Sequence, residues 1–266
     1  MTIRVTTRNA RYQQWQALLS NRTKRARAGA FVVQGVRPIT MAVRAGWQVR
    51  ELAYDADARL SEWAAQTLHS VQTTRVAVSA ELMRELGGKE EAPELLAVVG
   101  MPADDLGRVA TGGAMLAVVL DRPTSPGNIG TLVRSADAFG ASGVIVAGHA
   151  ADVYDPKAVR SSTGSIFTVP VVRVESHRTV LDWADTLHSG LFGTDENGAV
   201  ELADCDLRGP TTVVVGNETT GLSAAWREAC DQLVRIPMVG SASSLNAATA
   251  GSIVLYEAAR QRAGRG

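Results

Sequence analysis

From residue 114 onward, short uninterrupted apolar runs alternate with amphipathic stretches, and that alternation leaves few folds open to the chain. The runs are Ala114-Met-Leu-Ala-Val-Val-Leu, Val144-Ile-Val-Ala, Val169-Pro-Val-Val-Arg-Val, Leu191-Phe-Gly-Thr, Thr211-Thr-Val-Val-Val and Leu233-Val-Arg-Ile. A strand with one wet face alternates polar and apolar residues, whereas a strand covered on both faces is apolar throughout. Helices are predicted over 129–139, near 177–188, over 222–229 and from Ser244 to about Arg262. Strands separated by helices predict an α/β domain, a parallel sheet with helices on its faces.

A smaller alternating pattern precedes it. A helix is expected over 9–21, where Tyr12, Trp15, Leu18 and Leu19 recur at helical spacing. Strands are expected at Phe31–Gln34, Val49–Tyr54, Arg75–Val78 and Leu95–Gly100. The intervening helices run from Val36 to Ala45, from Ser61 to Leu68, and from a Ser79 cap to Gly87-Gly88. Met101-Pro-Ala-Asp-Asp-Leu-Gly and Thr111-Gly-Gly are rich in turn residues and mark a linker. Two domains follow, residues 1–106 and 112–266, as a chain of 266 residues favours.

Charge separates the two. Arg4, Arg8, Arg11, Arg22, Lys24, Arg25, Arg27, Arg37, Arg44 and Arg50 all precede the first acid, Glu51. The first fifty residues therefore carry +10, and the remainder −10. Such a stretch suits a polyanion, with Lys and Arg neutralising phosphates, although a solvated basic face has the same composition. Asn21-Arg-Thr-Lys-Arg-Ala-Arg is its densest part, and Tyr12 and Trp15 beside it are either base-stacking residues or core anchors of the first helix. No apolar run approaches the ~20 residues of a membrane span. The Arg-rich start lacks the apolar stretch of a secretory signal. Cys205 and Cys230 offer neither a disulfide framework nor a zinc site, and His69, His149, His177 and His188 are scattered, so no metal is expected. A cytoplasmic protein fits these features.

Three polar, glycine-dotted blocks follow predicted strands: Asp121 to Arg134, Val215 to Ser223 and Ile236 to Asn246. In an open parallel sheet the loops after the strands are where ligands bind. Asn128 suits an N-cap, Gly216 lets a ligand approach the backbone, and Glu218 is a loop acid or a helix-start charge. Arg134 lies beside the apolar stripe of Ile129, Val133 and Ala136, where a guanidinium can hold a phosphate. Pro237 ends its strand, Ser243 or Ser244 can cap the final helix, and Asn246 falls in that helix's first turn. The small residues of this third loop suit a flat adenine ring. Neither a P-loop nor a dinucleotide fingerprint is present. The residues by themselves indicate an α/β enzyme for a nucleotide-like ligand behind a basic nucleic-acid-binding domain.

Taken together, Asn128 to Arg134, Gly216-x-Glu218-x-x-Gly221-Leu222-Ser223 and Ile236-Pro237-Met238 to Ser244-Leu245-Asn246 resemble the SpoU (TrmH-type) class of SPOUT RNA 2'-O-ribose methyltransferases. Phe31-Val-Val-Gln34-Gly-Val-Arg is similar to the L30e-like domain often fused in front, with Gln34 where many relatives have Glu. His149 to Lys157 and Arg160 to Phe167 resemble the avilamycin-resistance branch, which acts on 23S ribosomal RNA. The resemblance implies a SPOUT domain with a deep trefoil knot, a homodimer, and S-adenosylmethionine as cofactor. It implies Gly216, Ile236, Met238, Gly240 and Leu245 at the cofactor, and Asn128, Arg134, Glu218, Ser244 and Asn246 as the catalytic cluster. For RNA contact it points to Arg22, Lys24, Arg25, Arg27 and Arg37. The rival readings are a tRNA substrate, a non-catalytic RNA-binding protein with a vestigial site, and a dehydrogenase. Cofactor binding separates the last two from the methyltransferase.

Overall fold

The structure is a computed structural model and describes residues 3–88 and 92–263. They form two compact units. The first comprises the chain up to Pro102 together with a later segment, Tyr154–Thr168; the second comprises Ala103–Val153 and the chain from Val169 onward.

The first unit is built on a five-stranded sheet of β1 (Ile3–Val5), β2 (Ala30–Gln34), β3 (Val49–Asp55), β4 (Thr74–Val78) and β5 (Leu95–Gly100), in the order β1-β4-β3-β5-β2. β1, β4 and β3 are parallel, whereas β5 runs antiparallel to both β3 and β2. Its helices are α1 (Ala10–Ser20), α2 (Arg22–Ala28), α3 (Val36–Arg44), α4 (Glu62–Ser70) and α5 (Ala80–Gly87). α2, unforeseen in the basic stretch, starts because the Asn21 side chain accepts from the Lys24 N–H and stops at Gly29, which is left-handed at φ 54°. Ser79 precedes α5 but makes no side-chain cap. Tyr12 and Trp15 are core anchors rather than exposed stacking residues, 0% and 2% accessible. The Trp15 indole donates to Glu51 at 2.9 Å.

The late segment enters this unit through aromatic packing and contributes the short helix α7 (Pro156–Ser161). Phe31 lies 4.6 Å from Tyr154 and 6.2 Å from Phe167, ring centroid to centroid, and the Trp47 indole donates to the Phe167 carbonyl at 3.0 Å. Burying such rings contributes about 1.5–3 kcal/mol each. This holds a segment far away in sequence against β2.

The second unit carries seven strands, all parallel: β6 (Leu116–Asp121), β7 (Gly143–Ala147), β8 (Val171–Val174), β9 (Gly190–Thr194), β10 (Val200–Glu201), β11 (Thr211–Val215) and β12 (Gln232–Arg235). Their order is β10-β12-β9-β11-β6-β7-β8. Every residue of β6, β7 and β11 is buried, as uninterrupted apolar runs require. From β6 the chain steps outward through β7 and β8, then returns to lay β9, β11 and β12 on the other side. That reversal opens a crevice at the carboxyl ends of the central strands. Helices α6 (Pro126–Ala138), α8 (His177–Thr186), α9 (Ala224–Ala229) and α10 (Ala247–Ala263) complete the unit. Arg262, in the last turn of α10, donates to the carbonyls of Leu207, Ala114, Met115 and Gly209 and ties the helix to the strand starts. Gly251 lets α10 approach α6 closely, since a Cβ there would lie 2.7 Å from Leu132.

Candidate functional site

The three polar blocks leave the carboxyl ends of β6, β11 and β12; the second and third line a cleft of about 290 Å³, and the first is bonded to Glu218 at its edge. Val215, Leu222, Val234 and Ile236 give it apolar walls; Thr194, Glu218 and Ser244 are among its polar lining. Asp195 and Glu196 also line it, from the end of β9, and sequence reasoning assigned them no role. The signal was available, because β9 ends on the same sheet edge. Asp195 is held by an ion pair with Arg227 at 2.5 Å and by the Asn197 N–H at 2.8 Å.

A continuous hydrogen-bond chain ties the blocks together. Glu218 accepts from the Thr124 N–H and hydroxyl, both at 2.9 Å, from the Ser125 N–H at 3.1 Å, and from the Asn128 amide at 3.1 Å. Asn128 in turn accepts from the Asn246 side-chain amide at 3.1 Å. Asn246 accepts from the N–H groups of Ala248 and Thr249, at 2.9 and 3.3 Å. Both amide orientations follow from the chain, since each donates at one end and accepts at the other.

Two capping expectations change. α6 begins earlier than expected, at Pro126, and its N-cap is Ser125, whose hydroxyl accepts from the Asn128 N–H at 3.3 Å. Asn128 is therefore not a cap, because a proline suits the first helical position and moves the cap to the serine before it. α10 begins at Ala247, so Asn246 is its cap and lies outside the first turn; Ser243 and Ser244 do not cap it. Asparagine is among the strongest N-cap residues.

Glu218 sits at the start of α6, where the positive end of the helix and four donors hold its negative charge. Burial alone would raise its pKa, but the hydrogen bonds from Thr124 and Asn128 outweigh that, and the carboxyl titrates below its ordinary range. A carboxylate with a depressed pKa contributes stability that is complete above the unfolded value and lost as pH falls through the folded one. Glu218→Gln is accordingly expected to melt about 1 kcal/mol below wild type at neutral pH, since its amide N–H₂ would oppose the N–H donors of Thr124 and Ser125. The gap should stay constant down to the ordinary carboxylate range and close only below it. Thermal unfolding of both proteins against pH reads this directly; a gap that closed near neutrality would contradict the clamp.

Gly216 is needed for a reason beyond the one expected. A Cβ there would lie 2.5 Å from the Gly221 carbonyl carbon and 2.6 Å from the Leu222 nitrogen. The chain folding back over Gly216 is by itself enough to forbid a side chain. That fold-back is pinned by the paired Asn217 and Gly221 backbones, by the Asn217 amide on the Arg122 carbonyl at 2.6 Å, and by the Ser223 N–H on buried Asp121 at 2.8 Å.

Gly216, Ile236, Met238 and Leu245 all line the cleft, and Glu218 and Ser244 join them; Gly240 lies outside it on an exposed loop. Arg134 is exposed on α6 and engages no described residue. It stands six residues past Asn128, about 9 Å along the helix and some 120° around it. Of the basic residues, Arg22, Lys24, Arg27 and Arg37 are exposed. Arg25 is only 2% accessible and cannot reach RNA: it donates to the Leu18 carbonyl at 2.8 Å and pairs with Asp155 at 3.6 Å. Burial, then the neighbouring Asp231, pushes the Cys230 thiol up to about 12, and Cys205 is raised likewise by burial and Asp204, so neither is a ready nucleophile. Among the described residues no group of His, Cys, Asp and Glu could hold a metal, and no helix is long and apolar enough to cross a membrane.

Residues 115–256 match the SpoU rRNA Methylase family, and residues 9–97 match the SpoU L30e-like domain. The 23S rRNA (uridine(2479)-2'-O)-methyltransferase of Streptomyces viridochromogenes is 58% identical over 97% of this chain and 92% of its own. An uncharacterized tRNA/rRNA methyltransferase of Mycobacterium avium is 37% identical, over 87% of this chain and 78% of its own. Among solved structures, the SpoU methyltransferase AviRb from S. viridochromogenes in complex with the cofactor AdoMet superposes with a TM-score of 0.93 at 58% identity, covering 96% of this chain and 99% of that one. An AdoMet-bound rRNA methyltransferase from Sinorhizobium meliloti superposes at 0.88 with 28% identity, covering 97% of this chain and 98% of that one.

Proposed function

The chain belongs to the SpoU rRNA methylase family, and we propose that it transfers the methyl group of S-adenosylmethionine to a ribose 2'-OH of 23S ribosomal RNA. The observation that carries this reading is the unbroken chain Glu218–Asn128–Asn246 at the cleft, which locks all three blocks into one constellation. A vestigial site has no need of such a chain, and a dehydrogenase has no use for these loops.

The cleft fits the cofactor. Its apolar walls, Ile236 and Leu245 among them, suit adenine, and the exposed Glu196 offers a carboxylate to ribose hydroxyls or to a cationic centre. Met238 borders the same space. Bound there, S-adenosylmethionine supplies an electrophilic methyl group. The protein's own part is to hold the ribose hydroxyl in line, and such positioning is worth up to about 7–11 kcal/mol of barrier. Asn128 and Asn246, with Ser244 beside them, are the groups we assign to that alignment. Glu218 is assigned to positioning Asn128, because its acceptor sites are occupied. A guanidinium is a forked donor and not a base, so Arg134 is assigned to clamp a substrate phosphate that takes the hydroxyl proton.

The division of labour we propose gives residues 1–106 to RNA capture, through Arg22, Lys24, Arg27 and Arg37, and residues 112–266 to methyl transfer. A homodimer is supported by α6 and α10, which leave Arg134 exposed and Tyr256 55% accessible beside Phe139. A trefoil knot formed by the chain after β12 and a cytoplasmic location complete the reading.

The test is transfer of labelled methyl from S-adenosylmethionine to 23S rRNA, 16S rRNA and tRNA in parallel, with the product mapped by primer extension at low dNTP. One 2'-O-methyl stop in 23S rRNA is the expected result, and drug susceptibility of ribosomes carrying that mark would then decide whether it confers resistance. Label in tRNA alone overturns the substrate. Absence of cofactor binding overturns the enzyme.

A further inference from the structure

The segment Arg160 to Phe167, distinctive in the sequence, plays no part in the methyl-donor cleft. In the first unit it helps form a groove of about 260 Å³ together with α1, β2 and α3. Leu19, Val32 and Val159 give the groove an apolar floor, and Arg37 and Arg160 flank it. We propose that this groove holds one unpaired nucleobase of the substrate RNA, with the adjoining phosphates on Arg37 and Arg160. The proposal rests on the RNA reading above and adds to it a recognition site.

The groove suits a base by its chemistry. An apolar floor accepts the flat face of a heterocycle, and RNA that is read by sequence offers splayed-out bases rather than paired ones. Gln34 lines the groove with its Nε2 tied to the Leu86 carbonyl at 3.1 Å. Its Oε1, which takes no hydrogen bond from a described residue, is left as an acceptor for a base N–H. Arg37 is anchored through Nε on the Thr163 carbonyl at 2.9 Å, which leaves its terminal nitrogens to a phosphate. Arg160 is exposed on α7 and its side chain engages no described residue. Thr163 holds φ 51°, a left-handed conformation that non-glycine residues avoid, and so presents its carbonyl to Arg37. Strain retained at the rim of a groove is a recurrent property of ligand sites. The surroundings complement RNA: the first fifty residues contain no acid.

The test uses the full-length protein with three RNA probes of one length: an unpaired oligouridylate, the same strand with abasic central nucleotides, and a blunt duplex. Binding at least about tenfold tighter to the oligouridylate than to its abasic counterpart is expected, a contrast within the range of one stacked base. Leu19→Trp, which fills the groove, should erase that preference, and Arg160→Gln should reduce the slope of log K against log salt by about 0.7, the value for one phosphate contact on a single strand. Equal affinity for abasic and intact strands overturns the proposal, as does an intact preference in a folded Leu19→Trp protein. Should Leu19→Trp fail to fold, an unchanged salt slope in Arg160→Gln overturns it. None of these readouts needs a methyl donor. Base preference without methyl transfer would remove the catalytic reading and keep the groove; transfer without base preference would do the reverse.

Discussion

Gly216→Ala is expected to abolish S-adenosylmethionine binding, and with it methyl transfer, while leaving the first unit folded. The added methyl would stand 2.5 Å and 2.6 Å from backbone atoms of Gly221 and Leu222. Backbone cannot rotate aside as a side-chain tip can. The loop must move as a body, against the Asn217–Gly221 pairing and the bonds to Arg122 and Asp121 that pin it. Overpacking of this kind typically costs ~1–3 kcal/mol. Cleft and cluster feel the shift together, because Leu222 walls the cleft and Glu218, on the same loop, fixes Asn128. A displacement of about one ångström at a positioned site costs on the order of 10²-fold in rate. Gly209→Ala is the control, since a Cβ there meets nothing within 4 Å. Calorimetric titration with S-adenosylmethionine and thermal unfolding separate the outcomes. Wild-type affinity in Gly216→Ala would show that the fold-back does not shape the cleft.

Much of this was legible in the sequence. Apolar runs gave every strand but the short β1 and β10, and their alternation with helices predicted the parallel sheet of the second unit. The blocks after β6, β11 and β12 were recognisable as a site because strand ends share an edge. What stayed illegible depends on contacts between residues far apart in the chain. One miss was local: Pro126, a residue suited to the first helical position, makes Ser125 rather than Asn128 the cap. Glu218 meets Thr124 across a separation of 94 residues, so its role as a clamp on α6 has no local signature. Arg25 looked like its basic neighbours, yet burial against Leu18 and Asp155 makes it structural. The antiparallel β5, between β3 and β2, and the return of Tyr154–Thr168 to the first unit are likewise long-range events. Composition carries no trace of them, though Phe31, Trp47 and Phe167 supplied the apolar surface that drives the second.

Arg134→Ala is expected to lower methyl transfer by ~10²–10³-fold while S-adenosylmethionine still binds, a loss of the size seen when a transition-state charge contact is removed. Arg134→Lys should recover little, because a lysine lacks the planar fork that grips a phosphate through two donors. A near-wild-type rate in that variant would end the clamp argument. The position of Arg134 makes a further demand. It lies about 9 Å along α6 and some 120° around it from Asn128, and no described residue engages it. On the homodimer proposed above, Arg134 would serve the cluster of the second copy. Mixed dimers test that: one chain carries Arg134→Ala, the other Asn128→Ala, and each homodimer is inactive. If clusters are completed across the interface, one of the two sites in the mixed dimer joins an intact Asn128 to an intact Arg134, and half the wild-type activity returns. If each chain completes its own cluster, both sites in the mixed dimer are broken and no activity returns.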